Sequence, residues 1–125
     1  MTYDVHVIPI AEFLRTNVSG IVDVEASRQL LKDLVIAAAR KHVDRILLDG
    51  RHATARVSTA DIWLFARDLG ALGVRDHRIA FLLRLPDSDF DRGAFLEMCA
   101  ANRGYDLRVF HDFEEAFTWL TETAS

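Results

Sequence analysis

Residues 45–61 read Arg45-Ile-Leu-Leu-Asp49-Gly-Arg-His-Ala-Thr-Ala-Arg-Val-Ser-Thr-Ala-Asp61. The stretch begins with a short apolar run, Arg45–Asp49, which is typical of a buried strand covered on both faces of a sheet. Gly50–Val57 then has the composition of a loop. Ser58 stands three residues before Asp61, which is the spacing of a helix-capping pair. The stretch therefore predicts a strand, a loop and a helix in succession, the unit from which parallel α/β sheets are built.

The sequence on either side extends this unit. Upstream, β-branched and apolar residues predict an antiparallel hairpin that ends in the turn Ser19-Gly20, and Asp23 is suited to cap the next helix. Downstream, apolar runs alternate with helical spacing. The predicted elements are, in chain order, strands Tyr3–Ile10 and Glu12–Val18, a helix over 24–42, strand Arg45–Asp49, a helix opened by Ser58, strand Arg78–Leu85, a helix capped by Asp89 or Asp91, strand Leu107–Phe110 and a helix opened by Asp112.

This order, ββαβαβαβα, predicts the fold class. We expect an α/β fold with a single mixed, mostly parallel sheet of about five strands and about four helices on its two faces. The chain has 125 residues, which is the size of one domain, and no linker or change of composition divides it. We therefore expect a single domain over residues 1–125.

The composition excludes several classes of function. The formal net charge of −4 does not favour binding to nucleic acid, which needs a clustered basic surface. Cys99 is the single cysteine, so no intramolecular disulfide can form and a reducing cytoplasm is expected. The N-terminus lacks the pattern of a signal peptide, and no apolar run approaches the roughly 20 residues that span a bilayer. We therefore expect a cytoplasmic protein without a transmembrane segment.

The sequence carries no familiar enzyme motif. It has neither a glycine-rich phosphate loop nor a Gly-x-Ser-x-Gly elbow. Its five histidines show no metal-ligand spacing, so we predict no metal site and no cofactor. Cys99 shares a helix face with Phe95, which favours a buried structural thiol over a nucleophile. Asp49, His52 and His111 could meet at the carboxyl end of the sheet, but they specify no reaction, so we predict no catalytic residue.

The segment after Asp49 is the candidate functional site. Ligand sites of open α/β sheets gather at the carboxyl ends of the strands, and a helix N-terminus with nearby Arg favours an anion. In one interpretation, a hydroxyl here is a phospho-acceptor or partner contact and the basic residues form an anion or ligand loop. In the other, the serine is an ordinary N-cap beside solvated basic residues. The candidates are Ser58 and Thr59 for the hydroxyl and Arg51, His52 and Arg56 for the loop.

The whole chain resembles the STAS domains, and more particularly the SpoIIAA-like, STAS/SEC14-type small bacterial proteins. The resemblance is one of pattern and covers nearly the full length. It is carried by Arg45–Asp49, Ser58-Thr59, Arg78-Ile-Ala-Phe-Leu-Leu83, Leu107–Phe110, and the ending Asp112, Glu114-Glu115-Ala116 and Trp119-Leu120.

The resemblance implies a specific type of switch. In anti-sigma-factor antagonists, a partner kinase phosphorylates a Ser at the start of the second helix, and the phosphate breaks binding to the anti-sigma factor. Ser58 and Thr59 follow Asp49 at the distance at which that family places this Ser. The family motif is Asp-Ser-Ser-Gly, whereas Val57 and Ala60 stand here at the Asp and Gly positions. The SpoIIAA-like, SEC14-like group generally lacks the motif, and this sequence fits that group better.

Three functions follow, in order of preference. The first is a non-enzymatic STAS-like regulatory or protein-interaction domain, whose partner is another protein or a second copy, with Trp119 as an expected dimer contact. The alternative is a small-ligand module for a lipid-like or anionic molecule, with a pocket lined by Trp63, Phe65, Phe90 and Phe95. An enzyme is the weakest of the three.

Overall fold

The described residues form six strands and four helices, in which apolar runs alternate with capped helices. The computed structural model describes residues 1–8, 12–84 and 87–122, and over 87–91 it describes the backbone only. The elements are β1 (Thr2–Tyr3), β2 (His6–Ile8), β3 (Phe13–Asp23), α1 (Val24–Arg40), β4 (Arg45–Arg56), α2 (Thr59–Asp68), β5 (Arg78–Leu82), α3 (Asp87–Asn102), β6 (Asp106–Phe110) and α4 (Phe113–Thr121).

The strands form one mixed sheet in the order β1-β3-β4-β5-β6, and β2 pairs with β3 beside β1. The β1 and β2 segments run antiparallel to β3, as the predicted hairpin requires. The three pairs β3–β4, β4–β5 and β5–β6 are parallel. The predicted fold class, a mixed and mostly parallel α/β sheet with four helices, is therefore confirmed.

Several predicted boundaries in the N-terminal half are wrong. The expected strand Tyr3–Ile10 is two short segments, β1 and β2, and Pro9 and Ile10 lie outside the described residues. The expected turn at Ser19-Gly20 is part of β3, which continues to Asp23. Gly20 has a φ of 88°, a conformation that glycine adopts freely, so it lets the strand continue where a turn was expected.

The prediction of a loop over Gly50–Val57 is also wrong. Residues 50–56 belong to β4 because the continuation of β3 pairs with them, from Ser19↔His52 to Asp23↔Arg56. Further along the chain, α3 begins at Asp87, so Asp89 and Asp91 lie within the helix and do not cap it. The strand expected to reach Leu85 ends at Leu82, and Leu85 lies outside the described residues.

The four helices divide unequally between the faces of the sheet. α1, α2 and α3 pack on one face, where Leu34, Phe65 and Cys99 belong to one buried cluster. α4 packs alone on the other face, where Leu120 contacts a second cluster that includes Leu47. Cys99 is 4% exposed, so the prediction of a buried thiol is confirmed.

Arginine side chains fix the end of α4 to the sheet. Arg45 Nη1 donates to the carbonyl oxygen of Leu120 at 2.6 Å, and Arg78 Nη1 donates to that of Trp119 at 2.9 Å. Both cations stand at the negative end of the helix dipole. The guanidinium groups of Arg78 and Arg108 also lie 4.9 and 5.3 Å from the Trp119 ring centroid. Trp119 is only 6% exposed, so its predicted role as a dimer contact is wrong.

The packing of α1 predicts which of its residues support the fold. Leu34 is fully buried, whereas Ile36 on the same helix is 42% exposed. We expect Leu34→Ala to lower the free energy of unfolding by about 2–5 kcal/mol, because it removes buried methyl groups and leaves a void. Ile36→Ala, the matched control, should lower it by less than about 1 kcal/mol. Urea denaturation followed by circular dichroism measures both, and equal losses would contradict the described orientation of α1.

Candidate functional site

β4 contains an extra residue where it passes the end of β5. β5 pairs with β4 only as far as Asp49↔Leu82. On the other side, the register with β3 shifts from Asn17↔Asp49 to Ser19↔His52, so β4 advances three residues while β3 advances two. This is a β-bulge, which bends a strand and changes its twist. Beyond it, β1 still pairs with β3 at Ser19, and from Gly20↔Ala53 to Asp23↔Arg56 the β3–β4 pair continues as a two-stranded extension that no other strand flanks in the described part of the chain.

A buried carboxylate holds this bulge. Asp49 is 4% exposed, and its side chain accepts a hydrogen bond from the backbone N–H of Arg51 at 3.1 Å, across the extra residue. The Arg51 guanidinium donates to both carboxylate oxygens, at 3.0 and 2.8 Å. Arg15 on β3 donates a further bond at 2.9 Å. One carboxylate therefore joins the bulge to the neighbouring strand through charge-assisted hydrogen bonds.

The electrostatics of Asp49 favour its ionised form. Burial by itself would raise the pKa of Asp49, but the hydrogen bonds from the Arg51 side chain and backbone, with the charges of Arg51 and Arg15, outweigh burial and lower it. The hydrogen bond to Asp49 likewise raises the pKa of Arg51 and outweighs the effect of its partial burial, with smaller contributions from the charges of Asp49 and Asp112. The group is therefore an ion cluster at neutral pH, and its ionisation contributes to stability.

The start of α2 has the capping box that the sequence predicts. Ser58 Oγ accepts a hydrogen bond from the backbone N–H of Asp61 at 3.1 Å, and the Asp61 carboxylate accepts one from the backbone N–H of Ser58 at 3.0 Å. This confirms Ser58 as the N-cap. Ser58 and Thr59 are both exposed, so solvent or a partner can reach either hydroxyl.

The three predicted loop residues do not converge on one point. Arg51 is engaged by Asp49. His52 lines a shallow cleft with Tyr3 and Asn17, beside the edge of the sheet. Arg56 is exposed at the end of β4, two residues before Ser58. The anion or ligand loop formed by Arg51, His52 and Arg56 therefore stays a prediction.

The proposed meeting of Asp49, His52 and His111 is also not seen among the described contacts. Asp49 pairs with arginines, and His111 Nδ1 lies 3.0 Å from the carbonyl oxygen of Leu83. Within the described residues, no group of three His, Cys, Asp or Glu side chains is placed to hold a metal ion. The same part of the chain contains no helix with the length and apolar character needed to cross a membrane.

A cavity of about 140 Å³ lies beneath the strand extension, between the sheet and the three helices on that face. Its wall combines the apolar sides of the extension and of these helices. Arg84, Arg92 and Asp61 are its charged members. We call the buried apolar members of the wall the depth of the cavity; they are Val18, Val22, Leu30, Leu31, Leu48, Ile62, Phe65 and Leu96.

The bulge determines which residues of β4 line the cavity. Leu48 and Gly50 line it before the register shift, whereas Ala53, Ala55 and Val57 line it afterwards. The extra residue thus changes which side chains of the strand face the helices, so that small apolar side chains line the cavity after the bulge. The Ala-x-Ala-x-Val spacing is a visible signal in the sequence, but only once residues 50–56 are recognised as a strand.

Of the four aromatic residues predicted to line a pocket, Trp63, Phe65, Phe90 and Phe95, the described cavity wall contains one. Phe65 lines the cavity. Trp63 is 44% exposed on α2, where its ring lies 5.8 Å from the Arg67 guanidinium and 5.5 Å from that of Arg103. Phe95 packs against the core outside the described cavity wall, and the Phe90 side chain lies outside the described residues.

The ion cluster predicts a pH-dependent loss of stability in an Asp49→Asn variant. The pKa of Asp49 is lower in the folded protein than in the unfolded chain, where it is about 3.9. The contribution of the ionised carboxylate to the free energy of unfolding is therefore fully present above about pH 3.9, and it is lost as the pH falls through the lower pKa of the folded state. At pH 7 the variant should be less stable than wild type by about 1–3 kcal/mol. The difference should shrink below about pH 4, because the unfolded chain binds a proton at Asp49 there while folded wild type still holds the charge.

Asp44→Asn is the matched control, since the Asp44 side chain is 78% exposed one residue before β4. It should change the free energy of unfolding by less than about 0.5 kcal/mol at either pH. Urea denaturation between pH 3 and pH 8 tests both variants. A pH-independent difference between Asp49→Asn and wild type would refute the electrostatic account.

Comparison with solved structures identifies the fold. SpoIIAA, an anti-sigma factor antagonist, in its unphosphorylated form matches with a TM-score of 0.54 and 12% identity over 91% of this chain and 92% of that one. A protein from Shewanella loihica PV-4, of the DUF3478 family and described as having a SpoIIAA-like fold, matches with a TM-score of 0.56 and 16% identity over 95% and 92%. An anti-sigma factor antagonist from Mycobacterium paratuberculosis matches with a TM-score of 0.57 and 13% identity over 97% and 96%.

No family model and no curated protein matches the sequence. The likeness therefore concerns the three-dimensional arrangement, and it extends over more than nine-tenths of this chain in each of the three structures. It confirms the resemblance inferred from the order of elements and from the segments around Asp49 and Ser58. The chain has a SpoIIAA-like fold.

Proposed function

We propose that this chain is a non-enzymatic, cytoplasmic regulatory domain that acts by binding another protein. The observation that carries the proposal is the exposed pair of hydroxyls at the start of α2. Ser58 and Thr59 stand where the two-stranded extension ends and the helix begins. We call the exposed residues Arg56, Ser58, Thr59 and Trp63 the α2 entry surface.

The composition of this surface suits a protein contact that a charge can switch. Trp63 provides apolar area, which is enriched in binding surfaces, and Arg67 and Arg103 beside it provide cations. A phosphate on Ser58 or Thr59 would add a charge of about −1.5 to −2 at pH 7. The added charge would change the electrostatic potential of the α2 entry surface around the modified hydroxyl.

The two hydroxyls would respond differently to phosphorylation. Ser58 Oγ is a partner in the capping box, and the Asp61 carboxylate already occupies the Ser58 N–H. A phosphate on Ser58 would bring a second anion against Asp61 and would break the box. A phosphate on Thr59 would leave the box intact and benefit from the helix dipole. Phosphorylation of Ser58 would therefore change the structure of the helix start, whereas phosphorylation of Thr59 would change only the charge there.

The comparisons support a regulatory role at the level of fold. SpoIIAA and the M. paratuberculosis protein are anti-sigma factor antagonists, and both share this arrangement of strands and helices. We transfer from them the use of the fold as a protein-binding regulator and no particular partner. A second copy of this chain is the alternative partner, although not through Trp119.

The switch is tested by a Ser58→Asp/Thr59→Asp variant in affinity purification from cells, with partners quantified by mass spectrometry. Asp is itself a favourable N-cap, so the variant should fold. We expect at least a tenfold change in the recovery of the principal partner, because the added charge lies on the contact surface. Thr118→Asp, which places a charge at an exposed hydroxyl position of α4, is the control and should leave recovery unchanged. The same partners at the same affinity for all three proteins would exclude the switch.

The cavity supports a second candidate function, a small-ligand module. Its volume of about 140 Å³ is close to that of an engineered apolar cavity, roughly 150 Å³, that binds benzene. We propose that a small molecule occupies this space between the sheet and helices α1, α2 and α3. The module needs no catalytic group, so it is compatible with a regulatory domain.

Native mass spectrometry of the protein purified from cells tests this second function. We expect a population heavier than the 14.2 kDa chain by the mass of one bound small molecule. Mild collisional activation should remove it, because the complex is non-covalent. A spectrum that contains only the unliganded mass under gentle conditions, from several growth conditions, would count against the module.

A further inference from the structure

We infer that the cavity binds a small anionic amphiphile, namely an apolar group of about six carbons that carries one carboxylate. The inference rests on the second function proposed above and specifies its ligand. It depends on three properties of the cavity: its size, the apolar character of its depth, and the sign of the charge in its wall.

The depth of the cavity is unsuited to water. Leu30, Leu31 and Phe65 provide aliphatic and aromatic surface there. Apart from the two arginines, the polar side chains of the described wall are Ser27 and Asp61, and both already have partners. Ser27 Oγ donates to the Asp23 carbonyl oxygen at 2.9 Å, and the Asp61 carboxylate accepts a hydrogen bond from the Ser58 N–H. A buried water needs two to four polar partners, so an apolar group of matching size is the better occupant.

Among the described residues of the wall, two side chains are basic and one is acidic. Arg84 is exposed and also lines the cavity, so the cavity reaches solvent beside this residue. Among the described side chains, Arg84 has no ion-pair partner. Arg92, also in the wall, is half-buried and donates to the carbonyl oxygen of Val57 at 3.4 Å. A carboxylate is the group that guanidinium binds most specifically, so the ligand's head belongs at Arg84.

A titration followed by ¹⁵N–¹H NMR tests the ligand class with defined probes. Hexanoate should bind more tightly than 1-hexanol, and hexylammonium should bind most weakly, because all three probes contain six carbons in a linear chain and differ in the charge of the head group. From butanoate to hexanoate, each added methylene should tighten binding about fourfold. The largest shifts should occur at amides of the cavity wall, such as those of Ala53 and Phe65.

The charge is tested with Arg84→Gln. It should weaken hexanoate binding about five- to tenfold and change 1-hexanol binding by less than about twofold, since only the charge-assisted contact is lost. Arg40→Gln is the control, because Arg40 is exposed in the last turn of α1 and does not line the cavity. It should bind all three probes like wild type.

The location is tested with Ala53→Leu, which fills the cavity from its β4 side. The variant should lose all measurable binding while keeping the wild-type circular dichroism spectrum. Thr54→Leu changes the adjacent residue, which is exposed and outside the wall, and should bind normally. Unchanged binding by Ala53→Leu would place the probes elsewhere and overturn the inference.

The outcomes separate the inference from the function on which it rests. If none of the probes binds the wild-type protein, the small-ligand module itself fails. If 1-hexanol and hexanoate bind equally and Arg84→Gln has no effect, the module stands but the anionic ligand is wrong. Tight hexanoate binding that depends on both Arg84 and Ala53 supports the full inference.

Discussion

The pairing of the Asp49 carboxylate with Arg15 and Arg51 is the interaction on which the carboxyl end of this molecule depends. A buried ionised carboxylate without partners is strongly unfavourable, so the charge fixes the geometry of the groups that surround it. Its bond to the Arg51 N–H closes the bulge, and its bond to Arg15 holds β3 in register. Arg15 in turn lies 5.1 Å from the ring centroid of Phe113, at the start of α4. One acid therefore connects the two central strands with the isolated helix on the far face.

The consequences of the bulge extend to the cavity and to α2. Without the extra residue, the alternation of β4 would turn Ala53 and Ala55 away from the helices and turn His52 and Thr54 towards them. The bulge instead presents small apolar side chains to α1 and α2, and these leave a space because they are small. It also sets where β4 ends, and hence where Ser58 begins α2. The α2 entry surface and the cavity are thus two results of one local irregularity.

The sequence predicted the features that depend on local pattern. The four helices, the apolar runs that begin β4 and form β5, the caps at Asp23 and Ser58, and the mixed sheet follow from periodicity and capping, which need no knowledge of distant contacts. The end of β5 was predicted at Leu85 and lies at Leu82. The extension over residues 50–56 could not be predicted, because its strand conformation comes from pairing with residues 19–23, about thirty positions away in the chain. Trp119 was misassigned for a similar reason, since the arginines that cover it belong to β5 and β6.

The candidate site was predicted in part, and the reason again lies in distant contacts. Ser58 and Thr59 were found because a capping box is a local motif. Arg84 was missed because it becomes part of a site only when the end of β5 lies beside the extension. The wall of the cavity contains Val57, which precedes Ser58, and Asp61, which lies two residues after Thr59, while the two hydroxyl residues themselves are exposed. A ligand in the cavity and a partner on the α2 entry surface would therefore contact opposite sides of the same helix start. If the two proposed functions both hold, the cavity ligand and the protein partner are coupled through this segment. The ligand then changes the affinity for the partner by the same factor by which the partner changes the affinity for the ligand, because binding linkage is reciprocal.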